Sequence, residues 1–533
     1  MDKQESNLSE KKVTKKLSLA KNIFKWLFVA LLAALLIAAI IFHASWKVMM
    51  LLVIFLLACT VLPKPARKWF WFSVGTVVIA LVIWVFLPDD NEGWRPYTFD
   101  EEVATLEAKY AIPDSENAAV IYNQLLDSYD TNEFESEFID YNLADLIIRE
   151  PWSSKDYPQV AQWLQQHNNT VAKLLDASKI EKCRFPITAS PLEQTTERSP
   201  AMREWAYLLI RAANNDLGEG RIDQALEKYA AVLRMGEHLY QQPAMIDMLV
   251  GMAVEALAIR QFKRFIVTEN PTEEHLSIVE TVLAEIKHDW CADLPGTLEF
   301  EKLMTKNMLA VFYETNAKGE VRLSRNPIAR MQAQFPEMAP RQTYWWRKFI
   351  KASTILGWFL MPSMPSSLQK VAKNIDASYE RLYAMADPDF DWQKEPETIS
   401  IKSLFSFPGI NYRRMIKLEN RIIEIQLHRF HDLYIRCTAQ RRGTLIIIAL
   451  RRYKNKSGYW PESLDDIKSL SPAEIFVDPI NGGPFVYKLT EENFTLYSKG
   501  KNNIDEGGQY NTTFDPNSPN YTVTEEDDIL IWP

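Results

Sequence analysis

His428 and His431 stand three residues apart in a basic stretch running from Arg429 to Arg436. On a helix that spacing puts both imidazoles on one face, where a pair could bind a metal or move a proton. In so basic a run they read as surface or packing residues. Asp387, Asp389 and Asp391 alternate as the opening of an EF-hand calcium loop does. Trp392, however, stands where that loop needs glycine, and Thr398 where it needs its bidentate glutamate. The stretch reads instead as a solvated acidic linker before Pro396. Cys59, Cys183, Cys291 and Cys437 are widely separated, with no C-x-x-C or metal-type spacing. Three buried thiols in the body are expected, with one bridge and one free thiol as the alternative. No H-E-x-x-H, G-x-S-x-G or phosphate-loop motif occurs, and glycine is scarce, 17 residues in all. The chain is therefore not expected to be an enzyme. An envelope enzyme whose site is assembled from residues distant in sequence is the alternative.

The elements that must position these residues differ sharply along the 533-residue chain. Residues 1–87 hold 11 basic and 3 acidic side chains, leaving 49 basic and 66 acidic on 88–533. A net −17 on the larger part argues against general nucleic-acid binding. The head carries three apolar segments, about 23–42, 46–62 and 69–87. The first and last are long enough to cross a hydrocarbon core of roughly 30 Å; the middle one is short and could instead be an interfacial hairpin arm. Three spans place both basic clusters, Lys3–Lys21 and Lys64/Arg67/Lys68, on the cytoplasmic side. The expectation is an integral protein of a bacterial inner membrane, with tail 1–22 cytoplasmic and the bulk of the chain extracytoplasmic.

Beyond residue 88 the hydrophobic period becomes helical. Trp205, Leu208, Leu209, Ala212 and Ala213 form one stripe, and Ile222, Ala225, Leu226, Tyr229, Val232 and Leu233 another. The turn Gly218-Glu219-Gly220 between them predicts an antiparallel helical hairpin. A further helix after Pro243 is rich in small residues, including Gly251, that permit close helix approach. Segments 100–129, 158–178, 271–288, 295–315 and 365–385 also read as helices, and 318–346 as an irregular crossing. Gly220, Ala225, Tyr229 and Ala213 give 205–233 a weak resemblance to one tetratricopeptide repeat. Leu209 and Asp216 depart from that family, which prefers aromatics there. A repeat array and a generic helical domain both stay open for 88–400.

The final region, 401–533, has a long helix from about Tyr412 to Lys454, a break at Gly458-Tyr459-Trp460-Pro461 and short turn-rich strands. Gly458 with Pro461, Leu464, Asp478-Pro479 with Gly482 and Pro484, and Tyr487 follow in order. Tyr497-Ser498-Lys499-Gly500, Gly507-Gly508 and Asp528-Ile529 with Trp532 complete the series. In these motifs the region resembles the globular part of the major pseudopilins of type II secretion. The string Gly443-Thr444-Leu445-Ile446 does not make an internal pilin start, since Phe is missing after the glycine and Ile447 stands where pilins carry Glu. As a whole the arrangement resembles membrane proteins of planctomycete-type bacteria that have no assigned activity.

The pseudopilin resemblance implies a long helix packed on a small antiparallel sheet, and a calcium ion held by the loop after Gly500 and by the aspartate before Ile529. The positions are Asn502, Asp505 and Asp528. Asn502 is a neutral donor where the family has a carboxylate, which weakens the expectation of calcium as cofactor. The expected fold is thus a multi-domain membrane protein: transmembrane helices in 23–87, an all-α body and a C-terminal α+β domain. The expected function is that of a membrane-anchored cell-envelope interaction or scaffold protein with protein partners and no nucleic acid. A component of type II secretion or type IV pilus-like machinery is a further alternative.

Overall fold

The computed structural model describes residues 93–130, 141–187, 191–324, 367–392, 412–491, 493–514 and 522–533, with a few single positions elsewhere. The described chain is mostly helical with small antiparallel sheets. Among the described residues no helix is long and apolar enough to cross a membrane. On that finding the expected architecture, an integral inner-membrane protein with three spans and a cytoplasmic N-terminus, is corrected. Segments 1–22, 23–42 and 46–62 lie outside the described residues, as does 69–87 apart from Phe70, Phe72 and Thr76.

Two compact units divide the chain. The first takes residues 1–98, 306–378 and 399–421. Its described part includes an antiparallel sheet of β1 (Trp94–Pro96), β2 (Tyr313–Asn316) and β3 (Val321–Leu323), in that order. This β2–β3 hairpin occupies sequence read as the end of a helix and an irregular crossing. It turns at Gly319, whose φ of 77° suits glycine. The Asn316 carboxamide fastens the turn by accepting the Lys318 and Glu320 N–H groups. Glu314 and Arg322 face each other across the pair and bond at 2.7 Å, while the guanidinium lies 3.7 Å from the Trp94 ring centroid.

The second unit takes 99–305, 379–398 and 422–533, so the helical stretch and the C-terminal stretch, expected as domains 88–400 and 401–533, contribute to one unit and one buried core. Its helices begin with α1 (Asp100–Tyr110), α2 (Ala119–Leu126), α3 (Tyr141–Arg149), α4 (Pro158–Gln166) and α5 (Asn168–Ser178). The run 158–178, read as one helix, is broken at His167, whose ring Nδ1 lies 2.9 Å from the Trp163 carbonyl. Next come α6 (Pro191–Gly218), α7 (Ile222–Tyr240), α8 (Met245–Thr268), α9 (Glu273–Ala284) and α10 (Trp290–Ala310). The two apolar stripes fall on α6 and α7 and are buried throughout except at Ile222. Asp216 secures the turn between the two helices by pairing with Arg221 at 2.8 Å and Lys228 at 2.6 Å. Where α7 crosses α8, a Cβ on Gly251 would stand 3.0 Å from the Gly236 carbonyl and 3.0 Å from the Tyr240 ring. Glycine at both positions lets the two backbones meet.

After α11 (Leu368–Tyr383), α12 runs for 46 residues, Tyr412–Ser457. It stops at Gly458, with φ of 87°. A sheet β4 (Val486–Leu489), β5 (Phe494–Ser498) and β8 (Ile529–Trp532) is antiparallel with β5 in the middle, and β6 (Tyr510–Phe514) pairs with β7 (Thr522–Asp527). The buried Asp478 carboxylate organises the turn before β4, accepting from Ile480 N–H, the Asn481 amide and the Ser498 hydroxyl. Gly443 lies on the face of α12 against β8, where an added Cβ would stand 2.4 Å from the Ile531 side chain.

Side-chain donors bind this sheet and α12 to the helices. Arg451, 2% exposed, gives its guanidinium to the carbonyls of Ile266 and Val267 in the last turn of α8. Carbonyls there have no helical partner and carry partial negative charge, so a cation is favoured. Lys263 donates to Gln440 Oε1 at 2.5 Å and to the Ile531 carbonyl at 2.7 Å.

Candidate functional site

A cleft of about 430 Å³ opens where the end of α5, one face of α7 and the end of α9 approach. Its size falls in the range of ordinary ligand pockets. Leu233, Arg234, Glu237 and His238 come from α7, where spacings of three and four residues place them on one face. Ile180 follows α5, Val282 lies on α9, and Ile286 follows α9, giving the cleft an apolar lining. Its rim is charged but largely self-neutralised. Arg234 grips Glu285 with two bonds, at 2.6 and 2.8 Å, the forked geometry that favours this pair. Lys287 pairs with Glu181, and Lys179 with Asp176 at 3.3 Å.

Glu237 is the exception. One oxygen, Oε2, accepts the Lys287 backbone N–H at 3.3 Å, and among the described residues no ion pair involves Glu237. Burial raises its carboxyl above the ordinary range, against the opposing pull of that N–H. His238 beside it is fully engaged: the Tyr122 hydroxyl lies 3.0 Å from Nδ1, and Nε2 is 2.7 Å from the Ile180 carbonyl. Burial brings His238 down to about 4, so the ring is neutral at pH 7. The Ser178 hydroxyl donates to the Leu175 carbonyl at 2.8 Å. A neutral imidazole tied at both nitrogens and a hydroxyl tied to its own helix do not make a nucleophile–base pair. The arrangement can bind.

The positions implied for calcium lie elsewhere, around the loop that follows β5. Asp528 is fully buried; its Oδ2 accepts the N–H groups of Glu506 at 2.9 Å and Gly508 at 2.8 Å, while Oδ1 has no partner. Burial, then the nearby Glu506 and Asp505 charges, raise its carboxyl. Asn502 turns its oxygen to the Ile504 N–H at 2.7 Å and its NH₂ to Glu506. Asp505 Oδ1 accepts from the Tyr497 hydroxyl at 2.5 Å, the Gly507 N–H at 3.1 Å and Lys488 at 3.3 Å. Calcium needs six to eight oxygens. Here Asn502 Oδ1 and Asp505 Oδ1 are spent on the chain's own donors. Among the described residues no group of three or more His, Cys, Asp or Glu is arranged to hold a metal. Asp528 Oδ1 and the neighbouring Asp527 Oδ1 are buried without a partner, two oxygens of the six to eight that calcium needs.

No protein-family model matches the chain, and no curated protein or solved structure matches it.

The remaining sequence candidates are packing groups. His431 stacks on Trp392 at 4.1 Å and stands edge-on to Trp290 at 5.5 Å, and burial brings its ring down to about 4. His428 packs against the same Trp392 at 5.1 Å. Asp387 accepts the Asp389 N–H at 2.9 Å, closing a local turn; Thr398 lies outside the described residues. Cys183, Cys291 and Cys437 are free thiols, and burial pushes Cys437 up to about 12. Glu237 escaped the reading of the sequence because a glutamate near the end of an amphipathic helix has no local signature. What singles it out is the partner it lacks.

Proposed function

We propose that the protein is a non-enzymatic interaction scaffold that docks a segment of a partner protein in the cleft between α5, α7 and α9. One observation carries this reading: the cleft combines an apolar lining with a rim whose hydroxyl and imidazole are already committed to structural hydrogen bonds. Such a surface offers area and charge for recognition rather than a proton-transfer pair. The pseudopilin-like tail is read as a rigid module of the same scaffold. The apolar run Ile446–Leu450 of α12, which a filament subunit would use for assembly, is here committed to the shared core.

The test is photo-crosslinking in cells that express the full-length chain with benzoylphenylalanine at position 286, compared with the same group at the exposed Ile246 outside the cleft. A discrete adduct at 286 and none at 246 is the expected result. Identical patterns at the two positions would remove the cleft as the docking surface.

A further inference from the structure

Among the described residues of the cleft, one carboxylate makes no direct ion pair, and its surroundings restrict what could pair with it. The cations on the rim are already engaged: Arg234 by Glu285, Lys287 by Glu181, Lys179 by Asp176. An incoming anion would have to break one of these pairs. Glu237, by contrast, sits partly buried with Oε2 on a backbone N–H, and among the described residues nothing donates to Oε1. The Lys287 ammonium, bonded to Glu181, acts on Glu237 only through space, so a cation in direct contact with this half-buried carboxylate would improve its pairing. The adjacent lining of Ile180, Leu233, Val282 and Ile286 suits a methylene stem.

We propose that the docked segment presents a lysine, whose stem lies along these four side chains and whose ammonium meets Glu237 Oε1. This rests on the docking reading above and names the chemistry of its occupant. Lysine fits better than arginine because one oxygen is on offer. A guanidinium is best served by a carboxylate with both oxygens free for its planar fork, whereas an ammonium is a compact point charge that one acceptor can hold. A partner polypeptide fits better than a small free amine, since an isolated ammonium with a short stem gains little beyond one charge contact.

The experiment titrates the full-length chain by calorimetry with the peptide acetyl-Ala-Ala-Lys-Ala-Ala-amide. Comparison ligands are its Nε-acetyl-lysine form, its arginine form and n-butylammonium. The lysine peptide should bind, and acetylation should weaken it by at least about tenfold. Glu237→Gln should lose roughly the same factor while its melting temperature shows it folded, and Glu237→Asp should stay within about threefold of the native chain. Arginine peptide binding as tight as lysine, or equal binding to the Glu237→Gln chain, overturns the proposal. So does n-butylammonium binding as tightly as the peptide, which would make the occupant a free amine. Absence of lysine-peptide binding to the folded native chain also overturns it. A crosslink at position 286 that persists in the Glu237→Gln chain would sink the lysine assignment and leave docking standing; loss of the crosslink in the native chain would sink docking itself.

Discussion

The contact of α7 with α8 and the seam joining those helices to α12 and the C-terminal sheet are made in different ways. At the first, Gly236 and Gly251 bring two backbones together, with the Tyr240 ring and the Glu255 side chain packed beside them. At the second, charged groups reach across. Arg451 caps α8, Lys263 holds β8, Arg441 lies 3.1 Å from the fully buried Glu255, and Arg452 meets Glu273 and Glu280 at 2.8 and 2.9 Å. Apolar contact is non-directional and asks for shape. A buried charge with a fixed acceptor accepts one register and penalises the rest. The helices can therefore be assembled by hydrophobic pattern, while the seam sets where α12 and the sheet must sit.

The largest effect should come from breaking the seam at Arg441. Glu255 also accepts the Tyr240 hydroxyl, at 2.6 Å, but its charge is matched by this guanidinium. Arg441→Met strands a buried carboxylate, a loss of about 3–5 kcal/mol when one partner of a buried pair is removed. The urea midpoint of the full chain should fall accordingly, and Glu255→Gln in the same background should recover part of it. No recovery would mean the stranded charge is not the cause. Gly251→Val tests the other region. Its branched side chain must displace the Gly236 carbonyl or the Tyr240 ring, and overpacking of this kind costs about 1–3 kcal/mol. Thermal melts of the two variants rank the regions directly; a Gly251→Val loss exceeding that of Arg441→Met would reverse the comparison.

Sequence alone revealed one of these regions and missed the other. The stripes of α6 and α7 and the small residues of α8 could be read because hydrophobic period and residue size are local properties. The stop at Gly458 and the Asp478-Pro479 turn were legible for the same reason, through backbone chemistry. The strands β2 and β3 were not, since a three- or four-residue strand carries too little alternation to stand out. Lys263, Arg441 and Arg451 carry no local sign of burial in the sequence. What makes them structural is burial by residues nearly two hundred or more positions away, such as Ile531 for Lys263 and Ile266 for Arg451. Glu237 was hidden in the same way.

Lys263 offers a smaller but more specific probe of the seam. Burial, then the neighbouring Arg260, lowers it to about 7, well below an ordinary lysine. A neutral amine still has two N–H groups for Gln440 Oε1 and the Ile531 carbonyl, so the contacts survive deprotonation. Between about pH 7 and the ordinary lysine value the unfolded chain holds this proton and the folded chain does not. Stability from this group must therefore rise with pH across that window, and the penalty is full below it. Lys263→Met should flatten the rise in urea midpoint from about pH 7 to about pH 10. The level will also move, because two acceptors lose a donor, so the slope is the quantity that decides. An unchanged slope would show that Lys263 keeps its proton in the fold.

The smallest expected effect concerns the loop on the sheet side of the seam. If the chain's own donors close it, a divalent cation has little to add. Asp505 is held by the Tyr497 hydroxyl, the Gly507 N–H and Lys488, and Asp528 by two backbone amides. A ligand that binds the folded state stabilises it in proportion to the logarithm of its saturation. Millimolar calcium against chelator should then shift the melting temperature of the full chain by less than about 2 °C, the scale of a fraction of a kcal/mol to one kcal/mol in a chain this size. A larger upward shift, abolished by Asp528→Asn, would mean that Asn502 and Asp505 release their internal partners to a cation. The loop would then depend on metal while the rest of the seam depends on lysine and arginine. Without that shift, the same solution serves on both sides: donors of the chain itself, buried and given fixed acceptors, hold the sheet in place.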